Sequence, residues 1–261
     1  MDLGIAGKAA VVSASSAGLG YATAVALAEA GCKTVISGRT EERLTKAAKT
    51  IPNSIPILAD VSTIEGSQNL IRDAKSQLGT SIDILVTNAG GPPPGTFAST
   101  NINEYMEAIK LNLMSVVAMC KEAAPDMQKK KWGRILAITS ISVRQPIPDI
   151  MLSNTARAGA TGFLKTMALE VAPDGVTVNS IQPGLHATDR VKEIYGQENI
   201  ESLAKSIPAQ KIGSADDFGK VAAFLCSRRP ARRPARHSPC AASPATTIPI
   251  TSFRALCAIM W

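Results

Sequence analysis

Short apolar runs alternate with longer amphipathic stretches along residues 8–227, and that alternation admits few folds. Lys8–Val12 is the first run; after a Ser/Gly turn, Tyr21–Ala30 carries a helical pattern that Gly31 closes. Thr34–Ser37 is the second run, followed by a charged helix over Glu41–Thr50 with Thr40 as its N-cap. Ile55–Ala59 and Ile82–Val86 are the third and fourth runs, separated by a helix over Ile64–Leu78. A long helical region from Asn103 to about Lys129 leads to a fifth run, Ile135–Ile138. A helix from about Met151 to Ala172 then precedes the sixth, Val176–Ile181, and Asp216–Ser227 is a last helix. Strands this apolar are buried on both faces, and an intervening helix makes successive strands parallel. The pattern predicts a single α/β domain over residues 1–227, a doubly wound parallel sheet without a clear closing strand.

Composition changes at Arg228. Residues 228–261 hold six arginines and no lysine or acid, and Pro230, Pro234, Pro239, Pro244 and Pro249 punctuate them. That spacing forbids a helix interior and a central strand, and favours extended, solvated chain. Two origins stay open for this atypical Arg/Pro-rich tail: a changed reading frame or unrelated C-terminus, and a basic arm. Its arginines account for six of the seven net positive charges, so the body is close to neutral and offers no basic face for nucleic acid. No apolar run is long enough to span a membrane, and the acidic start lacks the basic n-region of a secretory signal. Cys32, Cys120, Cys226, Cys240 and Cys257 show no metal-ligand spacing. They read as reduced thiols, and the expected compartment is the cytoplasm.

The turn after the first run is Ser13-Ala14-Ser15-Ser16-Ala17-Gly18-Leu19-Gly20. Between a strand and a helix, Gly18 lets the backbone approach a pyrophosphate and Gly20 lets helix and strand pack closely. The amides and dipole of the helix N-terminus then face the negative charge. Ala14 occupies the usual place of a first glycine, so the turn must avoid positive φ there or bear strain. The second strand ends in Gly38-Arg39, with no acid before Glu41. A guanidinium there suits a ribose 2′-phosphate, which favours NADP(H) over NAD(H); a merely solvated arginine is the alternative.

Taken together, residues 3–227 resemble the short-chain dehydrogenase/reductase family, nearest to its 3-oxoacyl-(acyl carrier protein) reductase-like members. Beyond the glycine turn, Asp60-Val61 resembles the family's adenine-contacting Asp after strand three. Asn88-Ala89-Gly90 resembles its NAG motif after strand four. Asn112 falls where the family holds a water in its proton relay, and Pro183-Gly184 with Thr188 resembles the stretch that covers the nicotinamide amide. The resemblance implies a Rossmann-like fold and hydride transfer between a nicotinamide and a carbonyl carbon. It also implies a serine that polarises the carbonyl, a tyrosine acid and a lysine that lowers its pKa.

Ser140 matches that serine. The tyrosine position is Ser153 and the lysine position is Arg157. An alkyl hydroxyl is a far weaker acid than a phenol, and Arg157 can hold ribose hydroxyls but exchanges no proton near neutrality. A minor group of reductase-like family members carries both departures, and the chain resembles those most closely. His186 is a candidate substitute acid; Tyr195, in the segment Leu185–Ile207 that would form a substrate lid, is a weaker one. Three readings follow: an NADP(H)-dependent oxidoreductase with an altered proton relay, a non-catalytic NADP(H)-binding protein or redox sensor, and a product impaired by its C-terminus. The resemblance also implies a homodimer through the helices near 103–129 and 151–172, with a tetramer second.

Overall fold

The protein is described here by a computed structural model covering residues 2–196 and 199–228. Strands β1 (Ala9–Val12), β2 (Lys33–Gly38), β3 (Ile55–Leu58), β4 (Ile84–Thr87), β5 (Gly133–Ile138) and β6 (Val176–Ile181) form one sheet in the order β3-β2-β1-β4-β5-β6. Every pairing is parallel. The order reverses between β1 and β4, so the loops leaving their C-terminal ends diverge and open a crevice, where ligands bind in open α/β sheets.

Alternate side chains of the inner strands feed two cores, while the edge strand β3 buries one face only. Val11, Val35, Leu85 and Ile135 pack against α3 (Ile64–Leu78), α5 (Ser115–Lys129) and α6 (Met151–Val171). Ala10, Val12, Ile36, Val86 and Leu136 face α1 (Gly18–Glu29), α2 (Glu41–Thr50) and α9 (Ala215–Leu225). This period of two with both faces covered explains why the strands read as continuous apolar runs. Leu27, fully buried on α1, contributes on the order of 2 kcal/mol by its burial.

Several elements differ from the sequence expectation. Helix α1 begins at Gly18, so the glycine turn already contains its first turn. Thr40 stands at the N-cap of α2 with extended backbone, but its side chain makes no capping bond. The fourth strand starts at Ile84, and the Asp83 carboxylate just before it accepts the Ala9 N–H. The long helical region is α4 (Ile102–Ile109), a π-helical turn at Lys110–Met114, and α5. Single π turns of this kind displace one side chain from the helical register, and here that turn carries Asn112. Between β6 and α9 lie two short helices, α7 (Asp189–Tyr195) and α8 (Ile200–Ser206).

The described chain ends beside its beginning: the Arg228 N–H donates to the Leu3 carbonyl. The fully buried Arg134 of β5 donates through Nε to the Ser227 carbonyl and through Nη1 to the carbonyls of Gly133 and Gly175. The expectation for the Arg/Pro-rich tail falls on 229–261, outside the described residues.

Candidate functional site

The β1–α1 turn is built from buried hydroxyls. Ser13 Oγ donates to the Asn88 carbonyl (2.6 Å) and accepts the Asn88 N–H (2.8 Å), which joins the ends of β1 and β4. The Asn88 side chain donates to the Ala14 carbonyl (2.9 Å). Ser15 Oγ donates to the Val12 carbonyl and accepts the Ser37 N–H, while the Ala14 N–H reaches Ser37 Oγ. Ser13 and Ser15 are thus shaping residues whose hydroxyls are spent inside the turn. Ala14 takes φ +45°, the strained alternative raised by its sequence.

Glycine is required twice here. Gly18 has φ +61°, and the side chain nearest to where its Cβ would stand is Thr188, at 3.8 Å. A Cβ on Gly20 would lie 2.6 Å from Asn88 Nδ2 and 2.7 Å from the Ala14 carbonyl. The α1 N-terminus carries no side-chain cap from Ala17 and no acid in its first turn. Its first N–H groups therefore lack a side-chain acceptor, which fits an anion. Leu19 packs on the α1-side core.

The adenosine end of such a ligand would meet the loops after β2 and β3. Gly38 lies against Ser16: an added Cβ would stand 3.0 Å from Ser16 Oγ. Arg39, next in sequence, is exposed. Burial pushes the Asp60 carboxyl up, but the Ser62 N–H and hydroxyl and the Arg39 charge outweigh it and hold the group below its usual range. Val61 turns into the core. No acid replaces Arg39 at the end of β2.

At the other end of the crevice, Asn112 on the π turn donates to the Gly90 carbonyl (2.9 Å). It is 3% exposed, and its Oδ1 has no hydrogen-bond partner among the described residues. The space where a Cβ of Gly90 would point is open, and Ala89 packs beside the core. From β6, the Pro183 carbonyl accepts the Ile141 N–H, so Pro183 and Gly184 are held beside the β5 loop. Arg190 of α7 donates to the Pro92 carbonyl in the loop after β4 (3.0 Å), and farther along that loop Gly95 pairs with Ile150, just before α6. Arg190 and Ser37 were not singled out in the sequence. Nothing in local spacing marks them, because each acts on a loop distant in the chain.

The residues expected from the sequence to handle the proton lie beyond the end of β5. Arg157 of α6 donates through Nε to Ser153 Oγ (3.2 Å) and through Nη1 to the Ile138 carbonyl (3.1 Å). Burial pulls its guanidinium down to about 10, still cationic at neutral pH. Ser140, two residues past Ile138, accepts the Ser142 N–H at its Oγ (3.1 Å). Ser140, Ser153 and Arg157 thus gather at one end of the crevice. His186 does not join them. Its ring is 5% exposed and stands edge-on to Phe218 of α9, with centroids 5.3 Å apart, against Gly213. Burial lowers its pKa below 6.5 against the opposing Gly184 carbonyl. Tyr21 bonds Thr50, and Tyr105 packs on Ala108, Leu152 and Ala156; Tyr195 lies on α7 in the lid.

An uncapped helix end, a positive-φ glycine at Gly18, open space at Gly90 and an unpartnered buried amide oxygen along one crevice fit a nicotinamide dinucleotide. Comparison with known proteins agrees. A family model described as enoyl-(acyl carrier protein) reductase matches residues 13–231. The 3-oxoacyl-[acyl-carrier-protein] reductase of Aquifex aeolicus is 32% identical over 231 residues, 87% of this chain and 93% of that protein. L-sorbose reductase of Gluconobacter frateurii, solved with NADPH and L-sorbose, superposes with TM-score 0.83 at 30% identity, covering 89% of this chain and 94% of that one. A 7α-hydroxysteroid dehydrogenase complexed with NADH and 7-oxo glycochenodeoxycholic acid gives TM-score 0.82 at 28% identity, covering 88% and 91%. Shared length, sheet order and crevice lead to one conclusion: the chain belongs to the short-chain dehydrogenase/reductase family, among its 3-oxoacyl-(acyl carrier protein) reductase-like members.

Proposed function

We propose that the protein is an NADP(H)-dependent oxidoreductase that reduces a 3-oxoacyl-type or small ketone carbonyl, or oxidises the matching alcohol, through an altered proton relay. The observation that carries this reading is Arg39, exposed at the end of β2 next to Gly38, which itself lies against Ser16, with no acid at the strand end. An acid there would repel a 2′-phosphate; a guanidinium attracts it.

The residues assigned to the cofactor are the Gly18 turn and α1 N-terminus for the pyrophosphate, Ser16 and Arg39 for the 2′-phosphate, and Asp60 for the adenine. Asn88, Ala89 and Gly90 would line the nicotinamide side, Arg157 would hold the ribose, and Pro183, Gly184 and Thr188 would cover the amide. When bound, the nicotinamide supplies or accepts the hydride. Ser140 and Ser153 orient the carbonyl oxygen as hydroxyl donors. Asn112 Oδ1 is placed to hold a water, through which the proton reaches the site without a phenol.

Fluorescence titration tests the cofactor: NADPH should bind at least about tenfold more tightly than NADH, as expected for one charge-assisted contact. NADPH oxidation with a panel of ketones and 3-oxoacyl thioesters tests turnover. Tight binding with no accelerated oxidation would favour the second reading, a non-catalytic NADP(H)-binding protein or redox sensor, which the absence of a phenol at Ser153 supports. Absence of saturable NADPH binding would favour a product impaired by its C-terminus. Exposed Ile102 and Met106 on α4 and Leu169 on α6 support a homodimer through the helices near 103–129 and 151–172. Light scattering after size exclusion would return two copies, four on the tetramer alternative, and one copy would contradict both.

A further inference from the structure

Helix α6 treats its hydroxyls unequally. Thr155, Thr161 and Thr166 each donate to the carbonyl four residues back, the usual outlet for a hydroxyl inside a helix. Ser153 makes no such bond. Its oxygen instead accepts Arg157 Nε, which occupies a lone pair and leaves its hydrogen without an acceptor among the described residues. Ser140 is in the same condition, its oxygen accepting the Ser142 N–H. Arg157 adds a third set of donors. Its Nε and Nη1 are engaged by neutral oxygens, its Nη2 by none, and no carboxylate pairs with it among the described residues.

This end of the crevice therefore presents two hydroxyl hydrogens and a half-buried cation, with no acceptor and no counter-charge among the described residues. An anion that accepts from Nη2 would supply the missing counter-charge through a charge-assisted hydrogen bond. A phenol and lysine at the same positions would present one titrating acid; a serine and arginine present fixed donors only.

We propose that Arg157, beside Ser140 and Ser153, forms an anion-accepting subsite, so that the protein's preferred ligands are small oxo acids whose carboxylate is held by Arg157 while the two hydroxyls donate to the oxo oxygen. The inference rests on reading this crevice as the substrate site and deepens that reading by naming the substrate class. Arg157 makes the contact with the carboxylate, and Ser153, held by Arg157, directs its hydroxyl to the same ligand. One guanidinium can serve both ribose and carboxylate, because a ribose hydroxyl takes a single donor and leaves the charge unmet.

The test uses the full chain and a matched pair of probes, acetoacetate and methyl acetoacetate, which share a skeleton and differ by one negative charge. Isothermal titration calorimetry is run without cofactor and again with saturating NADPH. Acetoacetate should bind about tenfold or more tightly than the ester in at least one of the two states. R157Q, which keeps an amide donor and removes the charge, should abolish the preference, and R157K should restore part of it. S153A should weaken acetoacetate about threefold without changing its sign of preference. Equal affinities for acid and ester in the unaltered protein would overturn the proposal, and that result needs no variant to fold. So would a preference that survives in R157Q of unchanged melting temperature. NADPH binding is scored separately: acid preference without NADPH binding would sink the oxidoreductase reading and leave the subsite standing, and the converse would do the opposite.

Discussion

The two ends of the crevice are built on different principles. The glycine turn between β1 and α1 is held by backbone atoms and buried hydroxyls, with Ser13, Ser15, Ser37 and Asn88 all spent on shaping it. The end beyond β5 is held by one charged side chain, Arg157, reaching from α6 to Ser153 and to the Ile138 carbonyl. A shape made of main chain tolerates little change and keeps its ligand. A shape made by side chains can keep its frame while its chemistry is exchanged, as is proposed here for Ser153 and Arg157.

The sharpest way to break that contrast is to restore the phenol. S153Y with R157K should raise the rate of carbonyl reduction by about a hundredfold or more, the scale of a positioned general acid. Steady-state NADPH oxidation measures it, and an unchanged rate would mean that the site is limited elsewhere. The corresponding insult to the rigid end is G20A. Its methyl would meet Asn88 Nδ2 at 2.6 Å. The expected loss is about 1–3 kcal/mol of stability by denaturant titration, together with NADPH affinity. An intermediate effect is expected at the mouth: R39A should cost about tenfold in NADPH affinity and leave NADH affinity nearly unchanged.

The smallest effect concerns His186, which lies outside both ends. Its pKa in the folded protein is depressed below 6.5 by burial. The unfolded chain therefore takes up the proton more readily, so stability is full above pH 6.5 and declines as the pH falls through and below it. H186F should flatten the acid side of a melting-temperature profile between about pH 7 and 5. An unaltered slope would show that other groups set it.

Legibility in the sequence follows the same division. The parallel sheet and nearly every helix could be read because strands such as Val35-Ile36 and Leu85-Val86 are apolar on both faces, a pattern with few alternatives. Gly18 and Gly20 could be read because positive φ and close approach leave no substitute. The π turn at Lys110–Met114 was not legible: a five-residue excursion leaves the helical periodicity intact on both sides. The seclusion of His186 was not legible either, because Phe218 and Gly213, which enclose it, lie 32 and 27 residues away. Thr40 looked like a cap because residue type signals capping, whereas the bond depends on a rotamer that sequence does not specify. Ser37 bonds the β1–α1 turn and Arg190 the loop after β4, each distant in sequence, so their importance is visible once the loops are assembled.

Arg134 carries a consequence for cooperativity. One fully buried guanidinium ties the carbonyl of Ser227 to the entrance of β5 and to Gly175 before β6. Irregular segments that follow a helix usually open with little free energy. Here the segment after α9 cannot separate without leaving a charged donor unsatisfied in the sheet's interior. Its amides should therefore exchange hydrogen together with those of β5, as part of the slowest-opening unit of the molecule.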